Sequence, residues 1–228
     1  MTKAIVILTY NEIEALPKIF DKIPLSCADE VLAVDGGSKD GTREYLEKKG
    51  VRVLSQPRRG RGVAFRVAAE AAKSDLLVYF SPDGNEDPAD IPRLFGELEK
   101  GCDMAIASRM MAGAFNEEDV SWFRPRKWVN QTFTWIANIF WNRGPFITDT
   151  INGYRGVRRE AFHAMEADAD GFVIEYQMSI KAMKKEMRVV EIPTREGQRL
   201  GGQSTAESLP TGLVFLRQLA KETLHGTL

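Results

Sequence analysis

A single α/β domain built on a mostly parallel central sheet is the fold the sequence predicts, on three observations. Short apolar runs alternate with amphipathic stretches through the first half of the 228 residues, the pattern that places helices on both faces of parallel strands. With 43% hydrophobic residues, the chain can bury one full core. Several apolar runs end in a polar turn, as expected where ligands sit beyond the carboxyl ends of strands.

The elements follow in order. Ala4–Leu8 reads as a buried strand, Glu12–Lys22 as a helix, Val31–Val34 as a second strand, and Thr42–Lys49 as a helix opened by the capping-rich Ser38-Lys39-Asp40-Gly41. Val51–Leu54 is a third strand. After the loop Gln56–Gly62, an alanine-rich helix runs to about Lys73, followed by strand Leu76–Phe80, a helix after Pro88 and strand Met104–Ala107. Four polar clusters, Thr9–Glu12, Asp35–Ser38, Ser81–Asp87 and Ser108-Arg109, therefore converge on one sheet edge. Further on, Met110–Arg126 reads as a mobile loop rich in Gly, Asn and acidic residues. Helices are expected from about Lys127 to Trp141, Glu175 to Lys185 and Leu209 to Leu224, with a strand at Arg188–Ile192. The loop Arg195–Ser204 lacks the periodicity of a core element, and such loops often carry function.

Composition narrows the partners. Thirty-one Lys plus Arg against 32 Asp plus Glu leave a net charge of −1, so no global basic field points to nucleic acid. Cys27 and Cys102 lie far apart without metal-ligand spacing, and nothing before Thr9 resembles a signal peptide. No apolar run approaches the roughly 20 residues that span a bilayer. A cytoplasmic protein, soluble or peripheral on a membrane, is the expectation.

Asp35, at a strand end before Gly36-Gly37, can accept a hydrogen bond from a nucleobase or ribose; the same residues suit an ordinary strand-to-helix turn capped by Asp40. Gln56-Pro57-Arg58-Arg59-Gly60-Arg61-Gly62 places three arginines ahead of a helix, which suits a phosphate cradle or an exposed basic turn. It lacks the Walker lysine pattern and does not follow the first strand as a Rossmann glycine motif should.

Thr9-Tyr10-Asn11-Glu12, the Asp35 turn and the acidic cluster after Leu76–Phe80 resemble, in order and spacing, the nucleotide-sugar half of glycosyltransferase family 2. The resemblance extends to Ala107-Ser108-Arg109, Asp149-Thr150-Ile151-Asn152-Gly153-Tyr154-Arg155, Gly171–Glu175, Val190–Pro193 and Arg199-Leu200-Gly201-Gly202-Gln203-Ser204. The late motifs resemble the subgroup that loads a sugar onto polyprenyl or dolichyl phosphate. A glycosyltransferase A-type, Rossmann-like fold is implied. So is one domain over 1–228, with a nucleotide-sugar half over 1–109, an acceptor-side half over 110–204 and a C-terminal helix over 205–228.

The resemblance also implies roles. Thr9, Tyr10, Glu12, Asp35, Arg61 and Asp83 would hold the donor, while Arg109, Arg126 and Arg199 would hold the acceptor phosphate. Asp83, Arg109 and Arg199 would serve catalysis. Where the family has an Asp-x-Asp for Mg²⁺ or Mn²⁺, this chain has Ser81-Pro82-Asp83, so Asp83 and Asn85 become the metal ligands, with diphosphate oxygens completing the shell. Ser81, Gly36 in place of a second Asp, Leu8 for the usual Pro, and the missing Lys after Ser204 depart from the pattern.

Around the helix over about 127–141, Trp128, Phe133, Trp135, Ile136, Ile139 and Phe140 cover a broad arc opposite Asn130, Gln131, Thr134 and Asn138. With Arg124, Arg126 and Lys127 at its start, it suits a lipid headgroup boundary; a helix packed on the sheet has a similar arc. The expected reaction is inverting transfer from a nucleotide-diphosphate sugar, of GDP-mannose or UDP-glucose type, to a lipid phosphate. Transfer to a sugar hydroxyl in surface-polysaccharide assembly, and a catalytically dead nucleotide-sugar-binding protein, are the alternatives. Neither His163 nor His225 falls in a motif, so no histidine base for a hydroxyl acceptor is evident.

Overall fold

The computed structural model describes residues 1–120, 122–201 and 208–224. Gly202, Gln203 and Ser204 of the late motif, and His225, lie outside the described residues. Seven strands form one sheet: β1 (Lys3–Thr9), β2 (Glu30–Asp35), β3 (Arg52–Ser55), β4 (Leu76–Phe80), β5 (Met104–Ser108), β6 (Arg155–Arg158) and β7 (Val189–Pro193), in the order β3-β2-β1-β4-β6-β5-β7. Every pairing is parallel except those of β6, which runs antiparallel between β4 and β5.

The central strands are apolar throughout because both faces are covered. Val6 and Leu8 face one core layer with Phe65, Phe133, Ile174 and Phe215, while Ile5 and Ile7 face the other with Leu16, Leu46 and Leu94. The first layer is roofed by α3 (Arg61–Ala71), α5 (Pro125–Trp141), α6 (Arg159–Met165), α7 (Ile174–Lys184) and α8 (Ser208–Leu224). The second is roofed by α1 (Leu16–Ile19), α2 (Thr42–Lys48) and α4 (Asp90–Glu99).

Three expectations change. The helix over Glu12–Lys22 shrinks to one turn of α1 and a 3₁₀ turn at Phe20–Lys22, because Pro17 supplies no N–H and Glu12 turns its side chain toward the sheet edge. The β6 strand and α6 carry no visible signal in the sequence. In Arg155-Gly156-Val157-Arg158 only Val157 is a large apolar residue, yet Arg155 is fully buried. The segment over 110–120 is tied down. Phe115 pairs with Arg195, and Glu196 accepts hydrogen bonds from Asn116 Nδ2 (2.7 Å) and Glu117 N (3.1 Å) at the start of a 3₁₀ turn.

The topology sets the site. Parallel strands deliver Thr9, Asp35, Ser81, Arg109 and Thr194 to one edge, and antiparallel β6 brings its beginning, Asn152-Gly153-Tyr154, to that same edge.

Candidate active site

A cavity of about 250 Å³ opens at the ends of β1, β2 and β4, lined among others by Thr9, Tyr10, Glu12, Arg61, Asp83 and Arg199. Of the six residues expected at the donor, only Asp35 is absent from its lining. Asp35 is buried, and its carboxylate accepts hydrogen bonds from Gly37 N (2.9 Å), Ser38 N (3.0 Å) and the Ser38 hydroxyl. It is committed to the turn that shapes the cavity. Tyr10 forms part of the wall, with the Arg59 guanidinium 3.9 Å above its ring.

The basic stretch before α3 divides its arginines among three tasks. Arg58 pairs with Asp170 (2.9 Å), Arg59 stacks on Tyr10, and Arg61 enters the cavity. The α3 N-terminus is no open phosphate cradle, because the Asp170 carbonyl accepts from Gly62 N (2.8 Å) and Val63 N (3.3 Å).

At the end of β4, the acidic turn is closed over by the loop 195–201. Gly197 N donates to Asn85 O (2.8 Å) and Leu200 N to Asp83 O (2.8 Å). This pairing carries Arg199 into the first cavity, where it bridges Glu12 Oε1 (2.8 Å) and Asp83 Oδ2 (3.2 Å); it does not line the cavity of about 380 Å³ that holds Arg109 and Arg126. Asn85 Oδ1 is buried without a hydrogen-bond partner, and the backbone N of the same residue donates to Asp83 Oδ1 (3.0 Å). One carboxylate and one orphaned carbonyl oxygen suit a hard divalent ion that takes its other ligands from a diphosphate and water. No group of three or more His, Cys, Asp and Glu that could hold a metal occurs among the described residues, so the ligand would have to complete the shell.

Arg61 is the hub. Besides the first cavity, it lines a polar cavity of about 160 Å³ with Asp83, Asn85 and Arg109, and a third of about 380 Å³. Its guanidinium is held by Glu175 and by Ser81 Oγ (3.1 Å), with Glu86 Oε1 at 4.0 Å. Ser81, standing where the family has a metal-binding carboxylate, thus carries a guanidinium instead. Gly153 makes room, since a Cβ there would overlap the Arg61 guanidinium.

The third cavity mixes cations with apolar walls. Arg61, Arg109 and Arg126 face Val129, Phe133, Ile151 and Phe215, among other residues. Asp149 grips Arg109 in a bidentate pair (2.8 and 3.1 Å), and Glu196 takes its remaining arm (3.1 Å). Burial opposes charge on both partners, but Asp149 and Glu196 hold Arg109 above its usual range, and Arg109 holds Asp149 below the usual carboxylate range. Arg126 stands exposed at the mouth, paired with Glu117 (2.9 Å).

Helix α5 packs inward through a face that mixes apolar and polar residues, and most of its aromatic arc stays outside. Phe133, Ala137 and Trp141 are buried, and so are Thr134 and Asn138 of the polar arc. Thr134 pairs with Thr150 (2.8 Å), and Asn138 bonds Ile147 on both sides of its amide (2.9 Å each). Outward stand Trp128, Trp135 (58% exposed), Ile139 (72%) and Phe140, joined by Trp122, Phe123 and Phe146.

A family model for glycosyl transferase family 2 matches residues 4–166. The chain belongs to that family. This family 2 chain is 32% identical to the undecaprenyl-phosphate mannosyltransferase of Micrococcus luteus over 87% of its own length and 85% of the relative's. To glycosyltransferase AglJ of Haloferax volcanii it is 31% identical over 86% of its length, and to the dolichol-phosphate mannosyltransferase of Pyrococcus furiosus 29% over 90%. It spans only 63% and 59% of those two relatives. The fold is that of glucosyl-3-phosphoglycerate synthase from Mycobacterium tuberculosis, solved with Mn²⁺, UDP and glucosyl-3-phosphoglycerate (TM-score 0.68, 20% identity, 98% of this chain and 79% of that one). Family 2 members are sugar-transferring enzymes, and among the described residues of this one no helix is long and apolar enough to cross a membrane.

Glu86 and Glu196 were not expected in this family 2 site. Glu86 lies inside the acidic cluster that follows β4, so a signal existed; Glu196 lies in the loop over 195–204 that the sequence singles out, but its partners, 79 to 87 residues away, carried no signal. Burial pushes the Glu12 carboxyl up to about 7, against the opposing charge of Arg199, and Glu86 up to about 8, against Arg61. A carboxyl raised in the folded state contributes stability that is fully present below its unfolded value and lost as pH rises through the folded one. The ligand-free protein should therefore melt at progressively lower temperature from about pH 4.5 to pH 8. Glu12→Gln and Glu86→Gln should each flatten that slope in thermal unfolding, and a slope unchanged in both variants would contradict the burial account.

Proposed function

We propose that the protein catalyses inverting transfer of a hexose from a nucleoside-diphosphate sugar to a polyprenyl-type lipid phosphate. The observation that carries this reading is the third cavity, where three arginines face apolar walls beside the outward aromatic face of α5. A phosphate on an apolar chain matches both halves. Relatives named as undecaprenyl- and dolichol-phosphate mannosyltransferases support the acceptor class.

On this reading Thr9, Tyr10 and Glu12 bind the nucleoside, while Arg61 and Arg109 offer fixed positive charge to the reacting phosphates. A divalent ion held by Asp83 and Asn85 would supply Lewis-acid stabilisation of the departing diphosphate. Arg199 neutralises Asp83 and Glu12 and would exchange that role for a phosphate when the donor arrives. The carboxylates nearest the acceptor side are engaged: Glu175 by Arg61 and Asp149 by Arg109. A phosphate monoester, with a second pKa of about 6, needs no base because its oxygen is already anionic near neutrality. The lipid phosphate oxygen forms the new bond to the anomeric carbon as the bond to the diphosphate breaks.

The unpartnered Oε2 of Glu175 favours a second reading, transfer to a sugar hydroxyl with Glu175 as base. The test offers polyprenyl phosphate, the matching polyprenol and a panel of sugars to one preparation with several labelled nucleotide sugars. Polyprenyl phosphate should be glycosylated and polyprenol inert. Efficient transfer to a sugar, abolished by Glu175→Gln, would promote the second reading. In parallel, Mn²⁺ should increase the thermal stabilisation given by a nucleoside diphosphate, and Asp83→Ala should erase that increment; equal stabilisation in chelator would remove the metal.

The outward face of α5, with Arg126 beside it, leads to a further expectation. The protein should bind anionic vesicles reversibly, less so as salt screens the cations. Because Trp128 and Trp135 are exposed, Trp128→Ser with Trp135→Ser should weaken flotation without lowering thermal stability. Loss of stability with unchanged flotation would remove α5 as the contact.

A further inference from the structure

Among the described residues, two side chains line both the donor cavity and the apolar acceptor cavity: Arg61 and Phe172. A sugar joined to a diphosphate on one side and attacked from the other must straddle that boundary. On that reading, a side chain at the boundary lies beside the transferred ring. On the sugar-transfer reading above, we infer that the Phe172 ring is the platform for the transferred sugar, packing on its C–H face and keeping water from the anomeric carbon. Phe172 thereby sets the ratio of transfer to hydrolysis.

Position and chemistry both carry this. Phe172 is 41% exposed and lines both cavities. A hexose ring offers hydroxyls at its rim and C–H groups on its faces. The electron-rich face of an aromatic ring suits such C–H groups and the positive charge that develops at the anomeric carbon. Meanwhile the arginine at the same boundary suits the phosphates.

The backbone just before Phe172 is tied to the turn that carries Arg61. Asp170 accepts the first N–H groups of α3 with its carbonyl, while its carboxylate takes Arg58 and Arg66. Gly62 permits the approach, because a Cβ there would overlap the Ala169 carbonyl oxygen. Ala169 and Asp170 are therefore seated on the turn that carries Arg61, three and two positions before Phe172.

Two reactions compete at the anomeric carbon once the donor is bound. In transfer, the acceptor oxygen forms the new C–O bond while the nucleoside diphosphate departs with the electron pair of the broken bond. In hydrolysis, water forms that bond, releases its proton to solvent, and free sugar leaves with the same nucleoside diphosphate. Removing the ring opens the boundary to water and loosens the sugar, so transfer falls while hydrolysis rises.

The experiment measures nucleoside diphosphate release and glycosylated product together, in wild type, Phe172→Ala and Phe172→Tyr, with and without acceptor. Nucleoside diphosphate affinity is taken by calorimetry on the same preparations. Phe172→Ala should raise the hydrolysis-to-transfer ratio roughly tenfold with nucleoside diphosphate affinity within about twofold of wild type, and Phe172→Tyr should restore the wild-type ratio. An unchanged ratio in Phe172→Ala, or weakened nucleoside diphosphate binding as its main defect, would overturn the inference. The ratio is read with whichever acceptor the wild type uses, so transfer to a sugar in place of a lipid phosphate refutes the acceptor class while still testing Phe172. Wild type that neither transfers nor hydrolyses any nucleotide sugar would overturn both.

Discussion

Arg61→Ala should lower turnover by roughly 10²–10³, the loss expected when one preorganised charge is removed from a developing anion. Arg61 lines all three cavities, whereas Arg109 is absent from the first and Arg199 from the second and third, so on the proposed reading Arg61 stands between donor and acceptor. Glu175, Ser81 and Glu86 fix its guanidinium before any ligand arrives, which removes the cost of reorganising it during the reaction. Truncation also leaves Glu175 without its cation, and its other oxygen already lacks a partner. Arg61→Lys separates these effects: it keeps a charge but not the planar fork, and should recover only part of the rate. Steady-state kinetics, with nucleoside diphosphate affinity measured separately, decide. Loss of nucleoside diphosphate binding alone, with turnover intact at saturation, would confine Arg61 to the donor side.

The largest effect on stability is expected at Asp149→Ala. Asp149 is 1% exposed and accepts both arms of Arg109 as well as its backbone N–H (3.1 Å). Breaking a buried pair by removing one partner strands the other charge, at a cost of about 3–5 kcal/mol. Glu196 offsets part of this by holding the third arm of Arg109. Urea denaturation should therefore show a marked fall in midpoint. The double variant Asp149→Ala with Arg109→Met should be more stable than Asp149→Ala alone, since no buried guanidinium is left unpaired. Equal stability of wild type and Asp149→Ala would mean that solvent reaches Arg109 more freely than its burial implies. On the proposed reading, the turnover of both variants should be low for a different reason, the loss or misplacement of a cation that would face the reacting phosphates.

Residues that share a local pattern are legible in the chain itself. The four polar clusters do sit at the carboxyl ends of their strands, since a parallel sheet delivers every such end to one edge. Thr9, Tyr10, Glu12, Arg61 and Asp83 follow from that rule and from motif order, and they line one cavity. Asp35 shows the limit of the rule. Its place at a strand end is legible, but not that its oxygens close their own turn and leave the cavity to Tyr10 and Glu12.

What the sequence by itself determined is burial by segment: apolar strands covered on both faces, amphipathic helices, and polar turns between them. Tertiary structure decided which partner each polar side chain meets. Arg61 and Glu175 are 114 positions apart, Arg199 and Asp83 116, and nothing near any of them in the chain encodes the pairing. The same holds for α5. Its arc of tryptophans and its arc of Thr134 and Asn138 are both visible, and hydrophobicity alone would turn the tryptophans inward. The waiting hydroxyl of Thr150 and the backbone of Ile147 reverse that choice. Buried polar groups fold inward when partners are there to satisfy them, and only packing brings such partners together.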